Sequence, residues 1–257
     1  MGRVPTMTGT IERRLLINYR VDLEVLERLV PAPFRPRAVN GAGMAGICLI
    51  RLRELRPAGL PRRLGLTTEN AAHRVAVEWD ERDGVSHGVY IPRRDTDSRL
   101  TVILGGRVFP GAHHRAAFRV REASGRYEVA FASRDGTASV AVEGMRAPDL
   151  PPDSVFDSLA EASEFFECAP LGYSATRQEG EFEALELACA RWCVEALKLE
   201  HAHSSFFEDR ALFPAGSVHF DSALLMSNIP AGGGHERHFC IPAPPRTRQA
   251  TGLSGSS

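Results

Sequence analysis

The most regular feature of the chain is an alternation of apolar and polar side chains over residues 43–53. Alternate positions from Met44 to Leu52 fall on one side of an extended backbone, which is the period of a strand with one buried face. Similar runs predict more strands, and Asp-Gly and Ser-Gly pairs between them predict tight turns. The predicted strands are residues 14–20, 43–53, 73–79, 85–91, 115–122, 126–133, 137–145 and 217–226.

Two short segments have the period and the caps of α-helices. Asp22 precedes a run with one apolar face, and Pro31 ends that helix because proline cannot donate the backbone hydrogen bond. Ser158 and Glu161 fit a capping box at the start of a second run. The secondary structure of residues 182–200 is ambiguous. Their Ala, Leu and Glu favour a helix, while apolar and polar residues alternate only partly as in a strand.

Many antiparallel strands with two short helices predict a mainly β (α+β) fold, either a barrel or a sandwich. The 257 residues contain no internal repeat, and a chain of this length can bury one large core. We therefore expect a single domain over residues 1–230. Residues 231–257 are rich in Gly, Pro, Ser and Arg, which predicts a poorly ordered tail.

The composition excludes several classes of partner. A formal net charge of -1 provides no basic field for nucleic acid or for an anionic membrane surface. No apolar run reaches the length of about eighteen residues that a membrane helix needs. Residues 1–10 lack the apolar core of a signal peptide, and five scattered cysteines argue against a disulfide framework. We therefore expect a cytoplasmic protein whose partner is a small molecule.

Two cysteines and two histidines near the C-terminus are the most metal-like group in the sequence. They are Cys189, Cys193, His201 and His203. Their spacing matches neither a zinc knuckle nor a His-Glu-x-x-His helix, so buried structural cysteines are the preferred interpretation. We expect no metal and no other cofactor.

The segment 88–118 concentrates the side chains best suited to chemistry on a small acid. Histidine titrates near neutral pH and can transfer protons, whereas arginine binds carboxylates through two parallel hydrogen bonds. A solvated basic loop with two surface histidines would have the same composition. The candidate site residues of the segment are Tyr90, Arg93, Arg94, Arg107, His113 and His114.

Several short stretches share their order with the motifs of one known family. Residues 106–115, which contain Gly106-Arg107 and His114-Arg115, align without a gap with Gly-Arg-Glu-x-x-x-x-Pro-Lys-Lys. NYRVDLEVLERLVPAPF matches a Tyr-Arg-Thr-Asp helix before Val-Pro-x-Pro, and Thr68-Glu69 matches a Thr-Glu pair. The C-terminal pattern of the family, Val-Lys-x-x-x-x-Ser-Ser followed by Leu-Pro-x-x-x-Val-x-x-Asp, resembles LKLEHAHSSFF and PAGSVHFD of this chain. The set resembles the acetoacetate decarboxylase-like superfamily over most of residues 11–226, and most closely its YqjF-like branch.

The resemblance implies an antiparallel β-barrel with a central cavity and a few short peripheral helices. In the decarboxylases, a lysine in a desolvated site forms an imine with a β-keto acid. That lysine falls on His114, the motif proline on His113 and a separate acid on Glu69. The substrate-facing arginine of the family falls on Glu12, beside Arg13. Because imidazole cannot form an imine, the resemblance argues against standard acetoacetate decarboxylation.

Two functions are compatible with these residues. The first is a lyase-like enzyme without imine chemistry that acts on a small carbonyl or carboxylate substrate. In it, His114 and His113 would move protons and Glu69 would orient the imidazole or carry the second proton. The substrate would be bound by Arg107, Arg93, Arg94, Tyr90 and Arg13. The second function is a non-catalytic small-molecule-binding protein that keeps the cavity.

Imine chemistry would require Lys198, the only lysine of the chain. The resemblance places Lys198 at a strand position other than that of the family nucleophile, so a structural role is favoured. The decarboxylases of the superfamily are homo-oligomers. A homo-oligomer is therefore possible for this chain, although no interface is evident from the sequence.

Overall fold

The computed structural model describes residues 7–104, 111–176, 178, 180–187, 189–232 and 237–240. Within these ranges the chain is mainly strand, as the alternation predicts. The strands are β1 (Met7–Val21), β2 (Arg35–Pro36), β3 (Ala38–Val39), β4 (Ala42–Pro57), β5 (Leu66–Glu81), β6 (Gly84–Thr96), β7 (His113–Ala123), β8 (Arg126–Ser133), β9 (Ser139–Ala147), β10 (Leu171–Ala175), β11 (Glu181–Glu186), β12 (Glu195–Ser204), β13 (Val218–Gly232) and β14 (Arg237–Cys240). The helices are α1 (Leu23–Leu29), α2 (Arg99–Leu104) and α3 (Leu159–Glu167), and Arg62–Leu64 form a 3-10 turn.

Local sequence signals account for the main turns and for the N-terminal cap of α3, but the Asp22 side chain makes no capping hydrogen bond at α1. Each predicted strand corresponds to an observed one. Between β7 and β8, Ser124 and Gly125 have φ angles of 49° and 79°, which a two-residue hairpin turn requires. The Ser158 hydroxyl accepts a hydrogen bond from the Glu161 backbone N–H at 3.1 Å, so α3 begins as the capping box predicts.

The strands form one sheet in the order β14-β11-β10-β6-β7-β8-β9-β12-β13-β1-β4-β5-β2. β5 also pairs with β6, so the nine strands from β6 to β5 along this path make a closed circuit of pairings. Their pairings are antiparallel except for β6 with β7, and β6 is also parallel to β10.

The side chains on the two faces of the sheet pack into two separate apolar clusters. Leu15 and Ile17 of β1 belong to the first cluster, to which β4, β5, β8, β9, β12 and β13 also contribute. Leu16 belongs to the second cluster, together with Phe165 and Phe166 of α3. The separation follows from the strand period, since successive side chains point to opposite faces. We call the face that carries Leu16 the α3 face.

The ambiguous segment 182–200 forms no helix in the part that the structure describes. β11 occupies its beginning and β12 its end. Each strand is held by partners that are remote in sequence: β11 pairs with β10 and β14, and β12 pairs with β9 and β13. Pairing between distant strands thus overrides the local helix propensity.

Part of the segment predicted to be a tail lies in strands. β13 continues to Gly232, and β14 pairs with β11. Residues 233–236 and 241–257 lie outside the described residues. None of the helices in the described ranges is long and apolar enough to cross a membrane.

Candidate functional site

A cavity of about 220 Å³ lies on the α3 face of the sheet. Leu16, Ile50 and Ala72 contribute apolar wall from β1, β4 and β5, while Phe166 and Trp192 line it from outside these strands. Three arginines and a histidine also line it, namely Arg14, Arg74, Arg94 and His113. We refer to this space as the arginine cavity.

Arg74 enters the arginine cavity from the middle of β5. The residue is 4% exposed, and its Nη2 donates a hydrogen bond to the Asn18 side chain. Its Nε has no acceptor among the described residues, and its guanidinium lies 4.7 Å from the ring centroid of Phe166. Burial lowers the pKa of Arg74 to about 10, so the group stays charged at neutral pH.

Arg94 approaches the cavity from β6 and is also buried, with 8% exposure. Its Nε donates to the Ser174 hydroxyl at 3.1 Å, and its Nη2 lies 3.5 Å from the Gly172 carbonyl oxygen. Burial lowers its pKa to about 10 as well. In the described part of the chain, neither Arg74 nor Arg94 forms an ion pair with a carboxylate; their hydrogen-bond acceptors are neutral.

Arg14 is the third cation of the arginine cavity. Its Nε donates to the Cys48 sulfur at 3.3 Å, and its Nη1 lies 3.7 Å from the Met226 sulfur. The guanidinium carbon stands 5.6 Å from the centroid of the Trp192 ring. Sulfur and aromatic neighbours therefore hold Arg14, without a carboxylate among its hydrogen-bond partners in the described ranges.

Two carboxylates also reach the walls, Asp95 and Glu186. Asp95 is 1% exposed and accepts two hydrogen bonds from Arg93, at 2.8 and 2.9 Å. Its negative charge is therefore already compensated by an arginine that does not line the cavity. Among the described residues that line the arginine cavity, three arginines thus stand against two carboxylates, one of which is already paired with Arg93.

His113 is the one predicted catalytic residue that lines the arginine cavity. Its Nδ1 lies 3.2 Å from the Gly111 carbonyl oxygen. Burial, and then the nearby positive charge of Arg94, lower the pKa of His113 to about 4. The imidazole is therefore neutral at pH 7, with one nitrogen able to donate and the other able to accept a hydrogen bond.

His114 does not line the arginine cavity. Its Nδ1 lies 2.7 Å from Asp135 Oδ2, and its side chain is 38% exposed. Hydrogen bonds from Ser133 and Thr137 hold the pKa of Asp135 well below its usual range. His114 is thus part of an exposed ion-pair cluster at the start of β7.

Arg93 and Arg94 separate in the same way as the two histidines. Arg93 binds Asp95 and also lies 3.2 Å from both oxygens of Asp135, so it belongs with His114. Arg94 belongs with His113 in the arginine cavity. The structure therefore divides the predicted residues of segment 88–118 into two groups.

Glu69 and Arg13 form a third group. Arg13 Nη2 lies 2.6 Å from Glu69 Oε2, and their side chains are 1% and 9% exposed. Arg51 contacts the other Glu69 oxygen at 2.5 Å, and Glu122 contacts Arg13 Nη1 at 2.5 Å. Glu69 and Glu122 thus together compensate Arg13 and Arg51. Glu69 contacts neither His113 nor His114 among its described hydrogen bonds.

Two predicted residues remain. Tyr90 is half-buried, with its ring centroid 6.5 Å from those of Phe34 and Phe182, and burial raises the pKa of its hydroxyl. It is not among the residues that line the arginine cavity. Arg107 lies outside the described residues, which omit 105–110.

Sequence reasoning missed Arg14, Arg74 and Cys48 as site residues. A signal for Arg74 does exist, because the α3 face of β5 is otherwise apolar around it, with Ala72 and Ala76 as its neighbours on that face. A charge inside an apolar stripe is costly unless it has a partner or a ligand. Such a position identifies a candidate, but it does not identify its neighbours.

No group of three or more potential metal ligands comes together in the described ranges. Cys189 Sγ lies 3.7 Å from the Leu187 carbonyl, whereas His203 Nδ1 lies 2.9 Å from Glu208. Cys189 and His203 are therefore engaged in different local contacts.

Comparison with known proteins identifies both family and fold. The model of the DUF2071 family, described as an uncharacterized conserved protein, matches residues 8–224. No curated protein sequence matches the chain. Among solved structures, the enduracididine biosynthesis enzyme MppR with HEPES buffer bound is 12% identical, with a TM-score of 0.60 over 93% of this chain and 89% of that one.

Two further solved structures have the same fold. MppR complexed with pyruvate is 12% identical, with a TM-score of 0.57 over 92% of this chain and 91% of that chain. Acetoacetate decarboxylase from Legionella pneumophila is 13% identical, with a TM-score of 0.56 over 91% and 88%. The mainly β chain thus has the acetoacetate decarboxylase-like fold that the sequence motifs predict.

Proposed function

The chain belongs to the DUF2071 family, and we propose that it binds a small organic carboxylate in the arginine cavity. The observation that carries the proposal is the pair of buried guanidinium groups, Arg74 and Arg94, which have no carboxylate partner in the described ranges. Burying an ion costs several kcal/mol unless an opposite charge compensates for the lost hydration. A ligand carboxylate would supply that charge and accept two parallel hydrogen bonds.

The walls of the cavity favour an organic anion over an inorganic one. Leu16, Ile50 and Phe166 would contact the carbon atoms of the ligand, and Trp192 would cover it. Pockets of this type bind through apolar walls and use a few polar groups to fix the orientation of the ligand. The volume of about 220 Å³ favours a small acid.

Proteins with the same fold are known with anionic compounds. MppR has been solved with pyruvate, a carboxylate, and with HEPES, a sulfonate. The likeness to this chain is one of fold, so it supports an anion site without identifying the ligand.

The closed circuit of nine strands supports the barrel that the motifs imply, and the family match supports a single domain over residues 1–230.

A second candidate function is acid–base catalysis on the bound carboxylate. It rests on His113, which lines the arginine cavity beside the charge of Arg94. A neutral imidazole can donate or accept one proton when the ligand presents an acidic or basic atom. His114 and Glu69 are engaged in ion pairs outside the cavity, so neither is assigned a proton-transfer role here.

Imine chemistry does not belong to the proposal. Lys198 is exposed on β12 and is not among the residues that line the arginine cavity. The proposal therefore assigns no role to the Lys198 amine.

Isothermal titration calorimetry tests the proposal with matched pairs of ligands. Pyruvate, propionate and benzoate should release or absorb heat on binding, whereas propionamide and benzamide, which have the same shape without the charge, should not bind. Arg74→Gln and Arg94→Gln should each weaken binding by at least about tenfold, since each removes charged hydrogen bonds. Arg126→Gln, which removes an exposed ion-paired arginine, is the control. Equal binding of the acids and the amides would contradict the proposal.

A further inference from the structure

Cys48 lines the arginine cavity together with its three arginines. It lies on β4, faces the α3 side of the sheet and is 8% exposed. Arg14 Nε donates a hydrogen bond to its sulfur at 3.3 Å. The guanidinium of Arg14 is thus placed to donate a charged hydrogen bond to the sulfur while that sulfur reacts.

Arg74 and Arg94 also lie close enough to Cys48 to interact electrostatically with it. The sulfur partly opposes the lowering of both arginine pKa values by burial. A second observation indicates that a ligand belongs beside this sulfur. Arg74 is buried, lines the same cavity and has an Nε without an acceptor among the described residues.

We propose that Cys48 is a nucleophile that attacks an electrophilic carbon next to the carboxylate of the bound ligand. This inference rests on the proposed carboxylate site and narrows its ligands to small acids with a keto group beside the carboxylate. Arg74 and Arg94 hold the carboxylate, which places the neighbouring carbon at Sγ. Arg14 stabilises the reacting sulfur.

The addition step is balanced without an oxidant or a reductant. With a 2-keto acid, a bond forms between Sγ and the carbonyl carbon, and the π electron pair of the carbonyl moves to its oxygen. That oxygen takes up the proton that the thiol has lost, which gives a thiohemiketal.

The other described cysteines differ from Cys48 in ways that make them internal controls. Cys168 and Cys193 are exposed and do not line the arginine cavity. Cys189 is half-buried, and burial raises the pKa of its thiol, which disfavours the reactive thiolate. One digest of one protein sample therefore reports the reactivity of all of them.

Iodoacetate and iodoacetamide are matched probes for the site. Both transfer a two-carbon group to sulfur, with iodide leaving and the thiol proton going to solvent, but only iodoacetate carries a carboxylate next to the reacting carbon. In the wild-type protein, peptide mass spectrometry should show Cys48 reacting with iodoacetate at least about tenfold faster than with iodoacetamide, with saturation. Cys168 and Cys193 should show no such preference.

Two variants complete the experiment. Arg74→Gln should abolish the preference of Cys48 for iodoacetate, while Cys168 continues to react as in the wild type. Arg126→Gln, which removes an exposed ion-paired arginine outside the cavity, should leave the preference of Cys48 for iodoacetate as in the wild type.

A preference for iodoacetate at Cys48 no greater than that at Cys168 would overturn the inference, and the wild-type protein alone decides this. If Cys48 shows no such preference but propionate still binds to the wild-type protein, the proposed carboxylate site is retained and only the assignment of Cys48 as a nucleophile is rejected. If propionate does not bind either, the proposed function itself fails.

Discussion

His113 and His114 are neighbours in β7, yet they belong to different environments. His113 lines the arginine cavity, while His114 lies 2.7 Å from Asp135 and is partly exposed. The strand period separates them, because successive side chains leave opposite faces of a strand. Of the two adjacent candidates for proton transfer, the fold therefore presents His113 to the cavity.

This relationship predicts different effects for the two histidine variants. His113→Ala should weaken the binding of pyruvate several-fold, since a neutral hydrogen bond contributes about 1 kcal/mol. His114→Ala should leave the dissociation constant within about twofold of the wild-type value, because its hydrogen bond stabilises an exposed cluster. Calorimetric titration at pH 7 measures both. The opposite ranking would return His114 to the site and remove His113 from it.

Paired and unpaired buried arginines should differ in their contribution to stability. Arg74→Met removes a buried charge that has no counter-charge among the described residues, so the free energy of unfolding should fall by less than about 1 kcal/mol. Arg13→Met removes one of the two arginines that compensate Glu69, so the loss should be about 3 kcal/mol. Urea denaturation monitored by circular dichroism compares the two variants.

For pyruvate binding the two variants should rank the other way: Arg74→Met should have the larger loss of affinity and Arg13→Met the smaller. Arg74→Met should lose pyruvate binding, whereas Arg13→Met, outside the arginine cavity, should retain it as long as it is folded. A large loss of stability in Arg74→Met would mean that Arg74 supports the fold and does not serve a ligand.

His73 should make the stability depend on pH. It is fully buried, and burial, followed by the charge of Arg93, lowers its pKa from 6.5 to about 3. Between these values the unfolded chain binds a proton that the folded chain does not. The contribution to stability is therefore complete above about pH 6.5 and decreases as the pH falls, by up to about 1.4 kcal/mol per pH unit.

His73→Gln isolates this effect, since glutamine does not titrate. The free energy of unfolding of the variant should fall less steeply than that of the wild type between pH 6 and pH 4, as measured by urea denaturation at each pH. Identical slopes would show that His73 is not the group that resists protonation.

The N-cap of α3 should affect the arginine cavity indirectly. Ser158→Ala removes the hydrogen bond from the Glu161 backbone N–H and should cost about 1 kcal/mol of stability. Because α3 places Phe166 in the cavity wall, pyruvate binding should weaken only slightly, by less than about threefold. Ser158→Asp, which restores an acceptor at the cap, should recover the melting temperature. Failure of this rescue would indicate that Ser158 acts otherwise than as a cap.

The sequence by itself determined the strands, the hairpin turns and the N-terminal cap of α3, whereas the Asp22 side chain, expected to cap α1, makes no capping hydrogen bond. These features depend on neighbouring residues, such as the alternation from Met44 to Leu52 and the Ser158–Glu161 pair, and no distant contact is needed to recognise them. The short motifs, which follow one another in the same order as in the family, were also enough to predict the acetoacetate decarboxylase-like fold. Residues 182–200 stayed ambiguous because their strands are selected by pairing with β9, β10 and β13.

Only the tertiary structure decided which of the basic side chains meet. The pairing of β1 with β4 shifts register between Ile11 and Arg13, and that of β5 with β6 shifts between His73 and Val75. A shift of one residue moves every later side chain to the other face of its strand, and no local pattern shows where it occurs. Arg14, Arg74 and Arg94 therefore come together on the α3 face, while Arg13 and Arg93 bind carboxylates elsewhere, as a result of strand pairing that the sequence pattern does not contain.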